Sequence, residues 1–333
     1  QINCHWSEDD EFYKKLMPMS LRPNAHDIIR TWDFYTIAKS HFHSNSLPWE
    51  NVMISGFVMA NKDEKISKSK SNSKLSPEAL LKEKGADVTR YWASTGSLGR
   101  DIIFSEEEFK NGAKLVNKIW NASRFVLSLL DGYSPKKTKL YPMDSYIMQK
   151  YNEMLSKFED YFEKYEIGLA IGELEKFFWS FCDNYIEIAK KRLYNPDIYG
   201  QEATDSARFA CYNVLLGMLK LFAIYLPHIT EEIYQAYFRE FEGEKSIHLT
   251  QIEKLDVLED KKVLNAGEEA VEVVSKIRAF KSENNLSLKE PLNLVEAVGY
   301  SGELELFKED LMAVGSIENL KFENGEREVK IQR

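Results

Sequence analysis

From Ser105 onward the chain carries one helical hydrophobic repeat after another, and that succession confines most of it to an α-helical architecture. Ser105 and Glu108 form a capping box, in which hydroxyl and carboxylate satisfy backbone N–H groups that a helix start leaves unpaired. Beyond it Leu115, Val116, Ile119, Trp120, Val126 and Leu130 recur at helical spacing and mark one apolar stripe. Pro135 with Lys136, Lys137 and Lys139 reads as a linker. Three more long helical patterns follow at about 141–165, 169–194 and 206–226, and Pro227 forces a break before a fourth at about 230–241. Their short connections favour an antiparallel bundle. A helix at about 262–284 is followed by the run 292–298, an acidic helix near 304–312 and short strands near Leu320 and Val329, which make a small α/β end piece.

The first hundred residues read differently. A short helix at about 9–17 is stopped by Pro18. The segment from Ser20 through Trp32 to Ile37 predicts a helix whose Ile28, Ile29, Trp32, Tyr35 and Ile37 mostly face a core. Asp27, near its start, suits the positive end of the helix dipole and can also reach a ligand hydroxyl. The apolar, β-branched run from Asn51 to Val58 predicts a buried parallel strand, with Gly56 leaving room for a flat base against the backbone. Next comes a polar loop, Asn61 to Asn72, with Lys65, Lys68 and Lys70 set among Ser67, Ser69 and Ser71. Ammoniums and hydroxyls there suit a phosphate site, although a solvated basic turn has the same composition. Ligands of open α/β sheets sit beyond the carboxyl ends of the strands, where this loop lies, as in the second half of a Rossmann-like domain. Two helices, at about 76–84 and 86–95, pack beside it.

Composition narrows the function classes. With 333 residues, 44% of them hydrophobic, the chain can bury a sizeable core in two or three domains. No apolar run approaches the roughly 20 residues that span a bilayer, so a soluble, cytoplasmic protein without a membrane partner is expected. A net charge of -9 argues against a generally basic nucleic-acid coat but leaves room for a local basic face. Cys4, Cys182 and Cys211 are widely spaced and match no zinc pattern. His41 and His43 point in different directions on a helix, with no third ligand nearby, and no metal site is expected. The chain begins at Gln1 rather than Met, and a piece of a longer protein is expected.

Lys65-Ile66-Ser67-Lys68-Ser69 resembles the KMSKS signature of class I aminoacyl-tRNA synthetases, with Ile66 where methionine is usual. Lys70-Ser71-Asn72, Ser76-Pro77, Gly85-Ala86-Asp87 and Arg90-Tyr91-Trp92 continue it as in the valyl, isoleucyl and leucyl branch, with Ser71 in a glycine's place. Asn117 to Phe125 is similar to the helix that opens the anticodon-binding bundle of the valyl members, and Pro227 to Tyr234 to a helix junction of the same family. The family's glycine-any-aspartate element is matched by Asp27, with Ala25 in place of the glycine.

The resemblance implies a mostly α chain with an α/β part: the C-terminal portion of a class I catalytic domain at 1–104, a helical anticodon-binding bundle at 105–260, and a last helix with a small α/β end piece at 261–333. It implies valine activation by ATP, with magnesium accompanying the nucleotide, and transfer to tRNA(Val), by a monomer. Lys68 first and Lys65 second would carry catalysis. Asp27, Gly56, Lys65, Ser67, Lys68 and Ser69 would hold ATP, and Ile28 would wall the amino-acid pocket. Asn117, Trp120, Asn121, Arg124 and Phe125, with Lys190, Lys191 and Arg192, would face tRNA, although a core Trp120, a surface Arg124 and a dipole role for the basic run are alternatives. No HIGH-like element is present, so this stretch alone is expected to bind tRNA without making aminoacyl-adenylate. The isoleucyl equivalent, a stand-alone tRNA-binding module and a helical scaffold remain as other readings.

Overall fold

A computed structural model describes residues 11–61, 64–66 and 77–332. No helix among them is long and apolar enough to cross a membrane. Two units separate, Gln1–Ala113 with Tyr161–Leu169, and Lys114–Asp160 with Ala170–Arg333.

In the first unit α1 (Glu11–Leu16) precedes strand β1 (Met19–Ala25). A 3-10 turn (His26–Ile28) and a π turn (Ile29–Asp33) then lead into α2 (Phe34–Ser44). Strand β2 (Trp49–Ser55) pairs parallel to β1, with Asn24 opposite Ile54 and Ala25 opposite Ser55. Strands β3 (Val58–Asn61), β4 (Glu64–Lys65) and β5 (Ile102–Ile103) form a second sheet in the order β4-β3-β5. Helices α3 (Pro77–Lys84) and α4 (Ala86–Ser94) fall where the sequence places them, and α4 buries Val88, Tyr91 and Trp92. Trp92, Phe104 and Phe109 pack as one aromatic cluster, joining α4 to the first turns of α5 (Glu106–Leu129). The capping box is partly formed, the Glu108 amide donating to Ser105 Oγ at 3.4 Å.

Two expectations for this unit are corrected. Residues 20–25 form a strand rather than a helix, since Pro23 has no N–H to give a helix and disfavours helical geometry in the residue before it. The side chains assigned to a core are largely exposed, Ile29 at 46%, Trp32 at 42% and Tyr35 at 58%, and most of β2 is exposed as well. Parallel strands need a layer on each face, and among the described residues β1 and β2 pair only with each other.

The second unit is helical. The C-terminal part of α5 and most of α6 (Pro142–Glu163) belong to it, as does α7 (Ile167–Ser180) from Ala170 onward. A π turn (Phe181–Tyr185) joins α7 to α8 (Ile186–Tyr194), and α9 (Pro196–Tyr199) leads into α10 (Gln201–Phe222). Helix α10 is the central column, burying residues on every side from Ala203 to Phe222, as a helix enclosed by others must. Pro227 opens α11 (Pro227–Ile233), which runs through another π turn (Tyr234–Phe238) into α12 (Arg239–Glu242). The long α13 (Lys261–Glu283) starts at an Asp260 cap that accepts from the amides of Lys262 and Val263. Its buried positions, Ala266, Gly267, Ala270, Val273, Val274, Ile277 and Lys281, follow one face.

The end piece places β6 (Leu292–Val298) between parallel β7 (Ile317–Glu323) and antiparallel β8 (Glu328–Gln332). A 3-10 segment (Gly302–Phe307) runs into α14 (Lys308–Gly315), which packs on α8 and α13. Cys182 and Cys211 are buried thiols, pushed up to about 12 by that burial, and therefore inert.

Candidate nucleotide and RNA sites

At the carboxyl ends of β1 and β2 the chain brings together residues that lie far apart in sequence. Asp27 sits on the 3-10 turn after β1, and Lys65 closes β4. Lys65 Nζ lies 3.6 Å from Asp27 Oδ2 and 3.3 Å from the centre of the Phe57 ring, which His26 also meets edge to face at 4.2 Å. Both charged side chains are about half exposed, so this pair is weak in itself and open to exchange with a ligand. An ammonium held over an aromatic face beside a carboxylate can trade that carboxylate for a phosphate oxygen.

Gly56 is required by the chain itself. A Cβ there would stand 2.1 Å from the Arg100 carbonyl oxygen and 2.6 Å from the Asp101 nitrogen. The neighbouring Phe57 amide donates to Asp101 Oδ1 at 2.7 Å, and the Gly99 amide donates to the Ile54 carbonyl. The glycine therefore lets the 99–101 segment close against the strand end. Ile28 is half-buried next to Asp27. Ser67, Lys68 and Ser69 lie outside the described residues.

On α5, Asn117, Asn121 and Arg124 are exposed, while Trp120 and Phe125 are partly buried. Positions 117, 121 and 124 share a helix face, so amide and guanidinium groups line one side with aromatic edges flanking them. Lys118 belongs with them: it pairs with Asp183 at 3.3 Å and lies 5.0 Å from the ring centre of Trp179, itself 38% exposed. The Arg278 guanidinium donates to the Asp183 carbonyl at 2.7 Å and to Asn184 Oδ1 at 3.2 Å. Spacing within one helix could not reveal this convergence of α5, the π turn and α13.

The basic run on α8 divides. Lys190 pairs with Glu187 one turn back, and Lys190 and Lys191 remain partly accessible. Arg192 is corrected: it is 3% exposed and cannot present its guanidinium to a phosphate. Its Nη1 and Nη2 donate to Asp144 at 2.7 and 2.8 Å, its Nε donates to Asp310 at 2.9 Å, and Nη1 also donates to the Ala203 carbonyl. Tyr185 and Ser206 hydroxyls donate to the same Asp144 carboxylate. Desolvation raises the cost of charge there, but two carboxylates keep Arg192 firmly protonated. Burial pushes the Asp310 carboxyl up to about 6 against the pull of Arg192.

Residues 2–105 match the family described as tRNA synthetases class I (I, L, M and V), and residues 144–296 match the anticodon-binding domain of tRNA ligase. A valine–tRNA ligase of Rickettsia conorii is 40% identical over 351 residues, covering 99% of this chain and 42% of its own length. That of Rickettsia prowazekii is 42% identical over 332 residues, covering 96% of this chain and 40% of its own. The chain thus spans about two fifths of the length of the curated relatives it matches. The fold is shared with the LeuRS–tRNA–LeuAMS complex of Agrobacterium radiobacter, at TM-score 0.56 and 13% identity over 98% of this chain and 40% of that one. It is also shared with Mycobacterium tuberculosis methionyl-tRNA synthetase in complex with methionyl-adenylate, at TM-score 0.62 and 20% identity over 78% of this chain and 53% of that one. A segment matched to class I tRNA synthetases, which holds Asp27 and Lys65, is thus followed by a helical unit matched to the anticodon-binding domain of tRNA ligase, and nearly the whole chain is similar to part of the valine–tRNA ligases.

Proposed function

We propose that the chain is the C-terminal part of a cytoplasmic, monomeric valyl-tRNA synthetase, which activates valine with ATP and transfers it to tRNA(Val). The observation that supports the reading is the 3.6 Å approach of Lys65, the first lysine of the KMSKS-like run, to Asp27 on the turn assigned to the ribose. In the reaction a valine carboxylate oxygen attacks the α-phosphorus and the bond from that phosphorus to the pyrophosphate oxygen breaks. Negative charge moves onto the leaving pyrophosphate, so cations on the loop bind the transition state more strongly than the ground state. Lys68 serves that role first and Lys65 second, Lys65 exchanging Asp27 for phosphate. Asp27 then turns to the ribose, Gly56 keeps the strand end close to the 99–101 segment beneath the nucleotide, Ser67 and Ser69 donate to phosphate oxygens, and Ile28 walls the valine side chain. Magnesium would accompany ATP and offset charge on its phosphates; among the described residues no group of three or more His, Cys, Asp or Glu side chains is placed to hold a metal.

The helical unit receives the tRNA. Asn117, Asn121 and Arg124 offer donors to base edges, Trp120 and Phe125 offer stacking surface, and Lys190 and Lys191 meet phosphates. The apolar exposure of Ile29, Phe34, Tyr35, Phe42 and Val52 favours a catalytic domain completed by a further segment over a stand-alone binding module. The test is pyrophosphate exchange. The full-length protein carrying this sequence is expected to exchange pyrophosphate in a valine-dependent way, with Lys68→Ala lowering kcat more than it raises KM. This 333-residue chain alone is expected to bind tRNA(Val), with affinity falling as salt rises, and to give no exchange. Exchange above background by the chain alone would overturn that division of labour.

A further inference from the structure

The turn that presents Asp27 and Ile28 is closed at its base by a pair of side chains that no part of the reaction uses. Asn24 is next to last in β1 and Asp33 is the last residue of the π turn, so the two bracket the stretch that carries Asp27 and Ile28. Asn24 is 7% exposed and Asp33 is 5% exposed. Asn24 Nδ2 donates to Asp33 Oδ2 at 2.7 Å and to the Ala25 carbonyl at 3.1 Å. The Asn24 carbonyl in turn accepts from Ser55 Oγ on β2, tying the same point to the neighbouring strand. A second link runs alongside: the Arg22 guanidinium lies 4.0 Å over the Trp32 ring, and Trp32 stacks on Trp49 of β2.

Asn24 Oδ1 and Asp33 Oδ1 are buried with no protein partner. A buried carboxylate with only one oxygen satisfied is costly, and a pocket of that kind is retained more readily where it fixes a geometry than where it only fills space. A 3-10 turn and then a π turn lead into α2 in place of a regular helix start, and π turns are frequent at functional sites.

We infer that Asn24 and Asp33 are positioning residues, a buried brace that sets the approach of Asp27 to the nucleotide ribose. The inference rests on the role proposed above for Asp27. It follows that the polarity of the brace is interchangeable while its bond is not. Asp33→Asn keeps an amide oxygen to accept from Asn24. Asn24→Asp sets two carboxylates against each other at hydrogen-bond distance. Combining them, Asn24→Asp with Asp33→Asn, restores the bond with donor and acceptor exchanged.

The experiment measures valine-dependent pyrophosphate exchange of the full-length protein against ATP concentration, with tRNA binding as an internal control. Asn24→Asp is expected to raise KM for ATP about tenfold or more, the scale of a lost hydrogen bond to a charged group, with a smaller change in kcat and unchanged tRNA binding. Asp33→Asn and the exchanged pair are expected to stay within about threefold of the unaltered protein. Asp33→Ser, which removes the acceptor's reach without adding charge, gives a second reading if Asn24→Asp does not accumulate as folded protein, and is expected to raise KM for ATP likewise. An unchanged KM in Asn24→Asp or Asp33→Ser, or an exchanged pair as impaired as Asn24→Asp, overturns the brace alone. A fall in kcat and melting temperature with KM unmoved also overturns it, since that is what a purely structural pair would give. Absence of valine-dependent exchange in the unaltered full-length protein overturns the functional reading and the brace with it.

Discussion

Arg192→Met removes the one cation between two buried carboxylates while keeping an unbranched apolar stem of similar reach. Asp144 then loses both guanidinium bonds and Asp310 loses its 2.9 Å bond to Nε, with 0% and 9% of their side chains exposed. Tyr185 and Ser206 still donate to Asp144, so that carboxylate keeps part of its solvation. Breaking a buried pair from one side costs about 3–5 kcal/mol, and because the two pairs share one guanidinium their losses do not add. In a unit of about 200 residues, with about 2–4 °C per kcal/mol, the helical transition is expected to fall by about 10 °C at pH 7. The pH dependence has a definite sign. The Asp310 carboxyl is already raised to about 6, so the stability it contributes is present below its unfolded value and is lost as pH rises through about 6. Without Arg192 the Asp310 carboxyl loses the charge that pulls it down and favours the neutral form more strongly, and the folded variant gains more than the unaltered chain on acidification. The deficit should therefore shrink from pH 7 to pH 5. Melting followed by far-UV circular dichroism at the two pH values checks this. A drop below about 3 °C at pH 7, or an equal deficit at pH 5, would refute the assignment of the triad as a charged, load-sharing cluster.

Two further substitutions probe the same unit. Gly217→Ala on α10 places a Cβ 2.6 Å from the ring and hydroxyl of Tyr151, itself 1% exposed, and is expected to destabilise by about 1–3 kcal/mol. Gly172→Ala on α7 meets nothing within 4 Å and is expected to stabilise by about 0.5–1 kcal/mol, so urea midpoints moving the same way would contradict the packing account. Lys281, buried on α13, donates to the carbonyls of Leu288, Glu290 and Gly315, and Lys281→Met strands all three. Amide exchange is expected to quicken at 286–292 and around 315 while α10 stays protected; unchanged protection in that loop would show that the ammonium does not hold it.

What could be read from the chain alone was what short-range physics decides. The capping box at Ser105, the break at Pro227 and the apolar periodicities placed the helices of the second unit within a few residues, because caps, prolines and stripes act over one or two turns. The residue pattern around Lys65 carries the resemblance to class I aminoacyl-tRNA synthetases, but no local rule shows which groups that lysine meets. Phe57 and Asp27 come to it only when β1, β2 and β4 are brought together. Tertiary structure likewise decided that Gly56 answers to the backbone at 100–101. Arg192 is the sharpest case: its neighbours Lys190 and Lys191 share its chemistry and its helix end, yet a rotation about the helix axis turns it toward Asp144 and Asp310. Those two carboxylates lie 48 residues before and 118 residues after it, and a charge's role depends on what stands across from it, a distance no window along the chain can measure.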